Sequence, residues 1–158
     1  MLVKLTNAER ATVMQVASMR LSAFELNGFQ EDEAGARRDH YHDHILGASG
    51  EMAVAKAFNF YWDFSVNKFS AGGDVADLQV RTTRNLDAPL LMVEPHDKDD
   101  ALFVLVSGRP GGDAFTLRGY TRGIDAKQER WFRSIKAGRK PKYFVPADEL
   151  RDVEELVS

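Results

Sequence analysis

A run of polar side chains follows a Gly-Gly-Asp turn near the middle of the sequence. Asp74 comes directly after two glycines, and an alternating pattern typical of a short strand follows it. Because the side chains of a strand alternate between its two faces, Asp77, Gln79 and Arg81 should share one face. An acid, an amide and a guanidinium at this spacing could form a metal-dependent phosphodiesterase site, in which Asp77 would be a second candidate metal ligand beside Asp74. They could equally be an ordinary polar strand face.

A further acid lies upstream in an otherwise apolar stretch. Glu51 follows Gly50 within residues 43–58, whose spacing of apolar side chains predicts a helix. Glu51, Asp74 and Gln79 would then supply oxygen ligands from a helix, a turn and a strand. Such hard donors suit Mg²⁺ or Mn²⁺, and a bound divalent ion can polarise a phosphoryl oxygen and generate hydroxide. Each acid alone is more simply explained as a surface charge, and only their joint spacing favours a metal site.

Three histidines alternate in the stretch DHYHDH. On a strand His40, His42 and His44 would share a face, whereas on a helix only His40 and His44 would lie one turn apart. A structural zinc site normally needs four ligands, and no second histidine or cysteine cluster accompanies them, so zinc is not favoured. If the helix extends back to His44, this residue lies on the same stripe as Glu51 and could contact a substrate phosphate.

Hydrophobic periodicity predicts the elements that must position these residues. A capping box at Thr6 and Glu9 opens a helix near 7–27, and residues 29–44 are predicted as a polar loop or frayed turn. Further helices are predicted at 125–138 and 147–158, and strands at 61–69, 75–84, 89–95, 101–108, 114–123 and 142–146. Strands flanked by helices predict an α/β (α+β) sandwich with a mixed central sheet.

The composition favours a single cytoplasmic domain. The chain has 158 residues, 44% of them hydrophobic, and no cysteine, so disulfides and thiolate metal sites are excluded and a reducing compartment is expected. No apolar run approaches the ~20 residues of a membrane span, and the first residues lack the apolar core of a signal peptide. We therefore expect no membrane association.

Positive charge is concentrated in residues 118–142, called here the basic segment. It contains nine basic residues against two acidic ones, a net charge of +7, while the whole chain carries −3. Such an asymmetry is typical of a surface that binds a polyanion, although a solvated basic helix would show it too. The candidates for contacts with a nucleic-acid backbone are Arg122, Lys127, Arg130 and Arg133. Trp131 and Phe132 lie among them and fit core packing better than base stacking.

Taken together, the stretches GASGEMAVAKAF and GGDVADLQVRTT and the order of the elements resemble the PD-(D/E)XK nuclease superfamily, particularly small nuclease-like proteins of phages. The resemblance covers about residues 44–146, between an N-terminal helix and loop (1–43) and a C-terminal helix (147–158). It implies a restriction-endonuclease-like fold in which Glu51 matches the glutamate of the first core helix and Asp74 matches the metal-binding aspartate. Where the family has an acid and a lysine two residues apart, this chain has Gln79 and Arg81.

The resemblance implies a Mg²⁺- or Mn²⁺-dependent nuclease whose expected substrate is DNA rather than RNA. A homodimer is compatible with it, and the expected location is the cytoplasm, which is that of the host if a phage encodes the protein. Glu51, Asp74 and Gln79 would bind the metal, and Arg81 would hold the scissile phosphate or the attacking water. Arginine stays protonated and cannot act as a base, so Lys127 is a candidate to supply the missing ammonium. The alternatives are a catalytically silent relative that binds nucleic acid or a protein partner, and a purely structural protein.

Overall fold

The computed structural model describes residues 1–27, 34–66 and 73–158, with 34–38 described by their backbone alone. Two long helices, α1 (Asn7–Leu26) and α2 (Ala34–Phe58), follow a short strand β1 (Leu2–Lys4). The remaining strands are β2 (Leu78–Thr83), β3 (Leu90–Val93), β4 (Leu102–Gly108), β5 (Ala114–Arg122), β6 (Phe132–Arg133) and β7 (Lys142–Pro146). A one-turn helix α3 (Gly123–Ala126) follows β5, and 3-10 turns occupy Glu129–Trp131, Ala147–Glu149 and Val153–Leu156.

The strands form two sheets. The main sheet has the order β1-β5-β4-β2, in which β2 and β4 are parallel and the other pairs are antiparallel. The small sheet has the antiparallel order β3-β7-β6. The predicted hairpin of 101–108 with 114–123 is confirmed as β4 and β5, whose register shifts between Leu105 and Val106. The predicted α/β sandwich with a mixed sheet is therefore confirmed.

The main sheet lies between the helices and the small sheet, because both of its faces are apolar. Val104 and Val106 of β4 belong to the core shared with α1 and α2. Phe103 and Leu105 point the other way and pack with Leu91 of the small sheet. A strand buried on both faces reads as a continuous apolar run, which explains the sequence of β4. Of the helices in the described residues, none combines the length and the apolar character needed to cross a bilayer.

Helix α1 begins as its sequence predicts. The Thr6 hydroxyl accepts a hydrogen bond from the Glu9 amide at 3.2 Å, and the Glu9 carboxylate accepts one from the Thr6 amide at 2.7 Å. The same carboxylate lies 2.9 Å from Nζ of Lys56 on α2. The capping box is thus confirmed, and it also links the start of α1 to the end of α2.

Four predicted elements are wrong in extent or type. Helix α2 begins at Ala34, so residues 34–44 are helical rather than a loop; Phe24 of α1 packs on His40 and His44 of this stretch, with ring centroids 5.3 and 6.1 Å apart. Residues 61–66 form no strand, and 67–69 lie outside the described residues. The helices predicted at 125–138 and 147–158 are absent.

Tertiary hydrogen bonds replace these two helices. Phe132 and Arg133 pair as β6 with β7, which requires extended backbone where the pattern favours a helix. Near the C-terminus, Arg151 and Tyr120 of β5 exchange two backbone hydrogen bonds of 2.9 Å, so only 3-10 turns form on either side. Pairing with another strand thus outweighs local helix propensity in both segments.

Two glycines of α2 have different surroundings, although both lower helix propensity. A Cβ at Gly50 would lie 1.9 Å from Oγ1 of Thr82 on β2, so this glycine permits close approach of the helix to the sheet. The close neighbour of Gly50 is therefore a side chain of β2. At Gly47 a Cβ would meet nothing within 4 Å.

We expect Gly47→Ala to stabilise the protein by about 0.4–1 kcal/mol, because alanine restricts the unfolded chain and has the higher helix propensity. Gly50→Ala should destabilise it, because the new methyl group overlaps the stiff, β-branched Thr82. Urea unfolding of both variants measures the contrast. Equal changes in the two variants would contradict this account of α2.

Candidate functional site

Asp74 is held by a tight turn at the start of β2. Its amide donates to the Leu78 carbonyl at 2.7 Å, and the Leu78 amide donates to the Val75 carbonyl at 2.9 Å. Oδ2 of Asp74 then accepts a 2.7 Å hydrogen bond from the Val80 amide. Because β2 is an edge strand, this bond satisfies an amide that has no partner strand and fixes the carboxylate beside the strand.

Arg81 lies between two carboxylates. Its Nη1 is 3.9 Å from Oδ2 of Asp74, and its Nη2 is 3.3 Å from Oδ2 of Asp97. The guanidinium also lies over the ring of Phe103, 5.1 Å from the centroid. Asp97 is in turn fixed by a 2.8 Å hydrogen bond from the Glu94 amide. Arg81 is therefore oriented on two sides, and Asp74 and Arg81 are brought together as predicted.

Asp97 belongs to this site but was not predicted from the sequence. The residue belongs to the turn HDKDD, which the sequence marks only as a polar connection between two strands. Its role depends on a contact with Arg81, 16 positions away, which no local pattern records.

Gln79 and Asp77 have different relations to this pair. Gln79 shares the face of β2 with Arg81, since the buried Val80 between them packs toward the helices. Asp77 precedes the strand, and the preceding Ala76 has a left-handed φ of 51°. Asp77 is exposed and belongs to the turn, so the strand face predicted for it begins only at Gln79.

Glu51 is buried and bound on both carboxylate oxygens. Arg20 of α1 donates from Nη1 to Oε1 at 2.9 Å and from Nη2 to Oε2 at 2.7 Å. The indole Nε1 of Trp62 donates to Oε2 at 2.8 Å. The exposed fractions of the side chains are only 14% for Arg20 and 10% for Glu51. This bidentate, partly desolvated geometry is the strong form of an arginine–carboxylate pair.

The charges of this pair are linked electrostatically to Asp74. Burial raises the pKa of the Glu51 carboxyl, more than the hydrogen bonds and charge of Arg20 lower it, and the charge of Asp74 adds to the increase. Burial by itself would lower the pKa of Arg20, but the hydrogen bonds and charge of Glu51, assisted by Asp74, raise it. Glu51, Arg20 and Asp74 are therefore close enough to act as one electrostatic cluster.

Arg20 could have been found from the sequence. It lies three and four positions after Ala17 and Val16, on the stripe that carries the buried residues of α1. A charged residue on a buried stripe needs a partner, and the only acid on the apolar part of α2 is Glu51. Arg20 was nevertheless not among the predicted site residues.

His44 lies near the same cluster. Burial lowers the pKa of its imidazole, and the charges of Arg20 and His40 lower it further against the opposing effect of Asp43. These effects favour the neutral form of the His44 imidazole. Within the described residues, no group of three or more histidines and acids could hold a metal ion, so His40, His42 and His44 do not assemble a metal site there.

The predicted nucleic-acid contacts are arranged in different ways. Lys127, whose side chain is 14% exposed, donates to the Asp97 carbonyl and to the Asp99 carboxylate, so its ammonium lies beside Arg81's partner. Arg122 is exposed at the end of β5. Arg130 lies 4.3 Å from the Trp131 ring centroid and 3.6 Å from Glu149.

Comparison with known proteins adds no relative. No protein-family model, no curated protein and no solved structure matches the chain. The class of the protein, a mixed α/β sandwich with a charged cluster at the edge of its main sheet, therefore comes from its own structure.

Proposed function

We propose that the protein is a divalent-metal-dependent nuclease that hydrolyses phosphodiester bonds of nucleic acid, in the manner of the PD-(D/E)XK superfamily that its sequence resembles. The carrying observation is the pair formed by Asp74 and Arg81, whose charged atoms lie 3.9 Å apart at the edge strand β2. Gln79 lies on the same strand face as Arg81. A carboxylate and an amide oxygen can bind a metal ion, and a guanidinium can bind a phosphate beside it. This strand edge carries all three groups.

The donors present fit a magnesium or manganese ion. Mg²⁺ usually keeps several waters and takes only one or two carboxylates from a protein. Among the described residues, Oδ1 of Asp74 has no hydrogen-bond partner, and the side chain is 34% exposed. Asp74 with the amide oxygen of Gln79 would hold the ion. When bound, such an ion would polarise the scissile phosphate and lower the pKa of a bound water.

The other residues of the cluster would act on the substrate and on one another. Arg81 would hold a non-bridging phosphate oxygen through the donors of its guanidinium. Glu51 already accepts three hydrogen bonds, so its direct contribution is to fix Arg20 and Trp62 rather than to bind metal. Lys127 supports the Asp97 turn that orients Arg81.

A second candidate function is supported by the pairing of Arg81. Its guanidinium already lies between Asp74 and Asp97, and arginine replaces the family's lysine. A protein with this arrangement would bind nucleic acid without cutting it. The two functions differ in whether Asp74 acts chemically.

A cleavage assay distinguishes them. Supercoiled plasmid, single-stranded DNA and RNA are incubated at low salt with Mg²⁺ or Mn²⁺, using the wild type and Asp74→Asn. Asparagine keeps an oxygen for the Val80 amide but loses the charge, so we expect metal-dependent cutting to fall at least about tenfold, which corresponds to a loss of about 1.4 kcal/mol of transition-state stabilisation.

The matched control is Asp148→Asn, at an exposed aspartate of a C-terminal 3-10 turn. It should cut like the wild type. Absence of cutting by the wild type on every substrate would overturn the nuclease proposal and favour the binding protein. Cutting that survives in Asp74→Asn would show that the chemistry lies elsewhere in the chain.

A further inference from the structure

Ion pairs balance only part of the positive charge of the basic segment. In the part of the chain that the structure describes, six of its nine cations form no ion pair, and four of these six lie close together in sequence: Arg133, Lys136, Arg139 and Lys140. Residues 132–140 are all exposed. Surface cations that have no acidic partner within their own chain produce a strong local positive potential. This favours a polyanion as the partner of the surface.

The turn that carries these cations is held by hydrogen bonds between its own residues. The Ser134 hydroxyl lies 2.7 Å from the carbonyl oxygens of both Lys136 and Arg139, and the Arg139 amide donates to the Lys136 carbonyl at 3.2 Å. Gly138 has a φ of 80°, a conformation that favours glycine. The cations are therefore presented on a defined loop beside β6.

An open cleft of about 650 Å³ lies beside this loop and exposes an aromatic ring. Its apolar surface comes from Pro95, Phe132 and Pro141, and Arg139 and Lys140 stand at its side. Phe132 is 42% exposed. Its ring lies 4.8 Å from that of Tyr143, which packs against the core and supports it. We call this the Phe132 cleft.

The cleft is connected to the candidate site. Glu94 lines the cleft and binds Lys142 at 2.8 Å. The Glu94 amide donates to the Asp97 carboxylate that holds Arg81. Glu94 therefore joins the wall of the cleft to the turn that orients Arg81.

We propose that the Phe132 cleft binds single-stranded nucleic acid, with a base stacked on Phe132 and phosphates on Arg139 and Lys140. Exposed aromatic rings within a basic groove are the usual means of binding single strands without sequence preference. In a duplex the faces of the bases are covered by their neighbours, so only an unpaired base can stack on Phe132. This inference rests on the proposed function where it names the form of the substrate, but binding itself needs no metal.

The test measures binding in EDTA, where a metal-dependent nuclease cannot act. Fluorescence anisotropy compares labelled oligothymidylate and oligouridylate with a duplex of the same length, for the wild type, Phe132→Leu and Tyr61→Leu. Leucine preserves an apolar side chain at β6 but removes the ring. Tyr61, 79% exposed outside the cleft, provides the matched loss of an aromatic ring.

We expect single strands to bind more tightly than the duplex, and Phe132→Leu to weaken this binding by at least about fivefold, the lower end of what one base–aromatic stack contributes. Tyr61→Leu should bind like the wild type. The double variant Arg139→Gln with Lys140→Gln should lower the slope of log affinity against log salt by about 0.7 per lost contact. Lys4→Gln with Arg109→Gln, the same change of charge elsewhere, should leave the slope unchanged.

Equal binding of duplex and single strand, or equal effects of Phe132→Leu and Tyr61→Leu, would overturn the proposal. Displacement of the oligonucleotide by polyglutamate at equal charge would also overturn it, because charge alone would then explain binding. If the protein binds single strands through Phe132 but does not cut nucleic acid, the nuclease proposal fails and this one holds. If it cuts nucleic acid but Phe132 does not contribute to binding, this proposal fails and the nuclease proposal holds.

Discussion

Glu51→Ala is expected to destabilise the protein by about 3–5 kcal/mol, the range for removing one partner of a buried ion pair. The substitution leaves the guanidinium of Arg20, whose side chain is only 14% exposed, without its carboxylate. Of the bonds that Arg20 forms in the structure, only its Nε–H bond to the Ser65 carbonyl at 3.0 Å would remain. The Trp62 indole N–H also loses its acceptor. Urea unfolding followed by tryptophan fluorescence and circular dichroism measures the change.

Glu51→Gln is the matched control. Glutamine has the same shape and retains one oxygen for Arg20 or Trp62, so its loss of stability should be clearly smaller. A loss in Glu51→Ala of less than about 1 kcal/mol, typical of an exposed pair, would contradict the buried pair described here.

The same residue predicts a pH dependence of stability. Burial raises the pKa of Glu51 above its ordinary value of 4.5 in the folded protein, so the folded state holds this proton more tightly than the unfolded state. The stability contributed by this proton is fully present below pH 4.5 and is lost as the pH rises through the raised pKa. Glu51→Gln should lack this component when both proteins are unfolded by urea across that range.

Gly73→Ala is expected to destabilise the turn before β2 and to remove Asp74 from its position. A Cβ at residue 73 would lie 2.5 Å from the Ala76 carbonyl oxygen and 2.5 Å from the Leu78 nitrogen. Both are backbone atoms of the turn, so no side chain can move aside. Overlap of this kind typically costs about 1–3 kcal/mol. The Asp74–Val80 hydrogen bond should be lost with the turn.

Two measurements on Gly73→Ala test this. Urea unfolding gives the loss of stability, and the cleavage assay should show a loss comparable to that of Asp74→Asn if the nuclease proposal holds. Gly47→Ala, the same substitution at an open position of α2, serves as the control and should keep full activity. Wild-type stability in Gly73→Ala would show that the turn tolerates a different backbone.

Much of the local structure is predictable from the sequence because it depends on neighbouring residues. The Thr6–Glu9 capping box defines the start of α1, and alternation or continuous apolar character marks β2, β3, β4, β5 and β7. These signals were sufficient for the class of fold, since an apolar strand such as β4 must be covered on both faces. The turn chemistry of Gly73 likewise indicated where a ligand-binding acid could lie.

The same local patterns predict only part of the candidate site. Asp74, Gln79 and Arg81 are neighbours along the chain, and the period of a strand places Gln79 and Arg81 on one face. The partners that set their electrostatics are distant: Arg20 meets Glu51 across 31 positions, and Arg81 meets Asp97 across 16. Neither contact can be recognised from the spacing of residues in the sequence, although Arg20 lies on the buried stripe of α1.

Local propensity and tertiary pairing disagree in the basic segment. Its pattern favours a helix, which would have directed Phe132 to a core. In the folded chain, residues 132–133 pair as β6 with β7, and this leaves the Phe132 ring exposed beside Arg139 and Lys140. The sequence alone determines that cations and aromatic residues occur together here. Only the tertiary structure decides that they form an open cleft, because the backbone hydrogen bonds that select strand over helix come from β7, which lies beyond the residues whose pattern favours the helix.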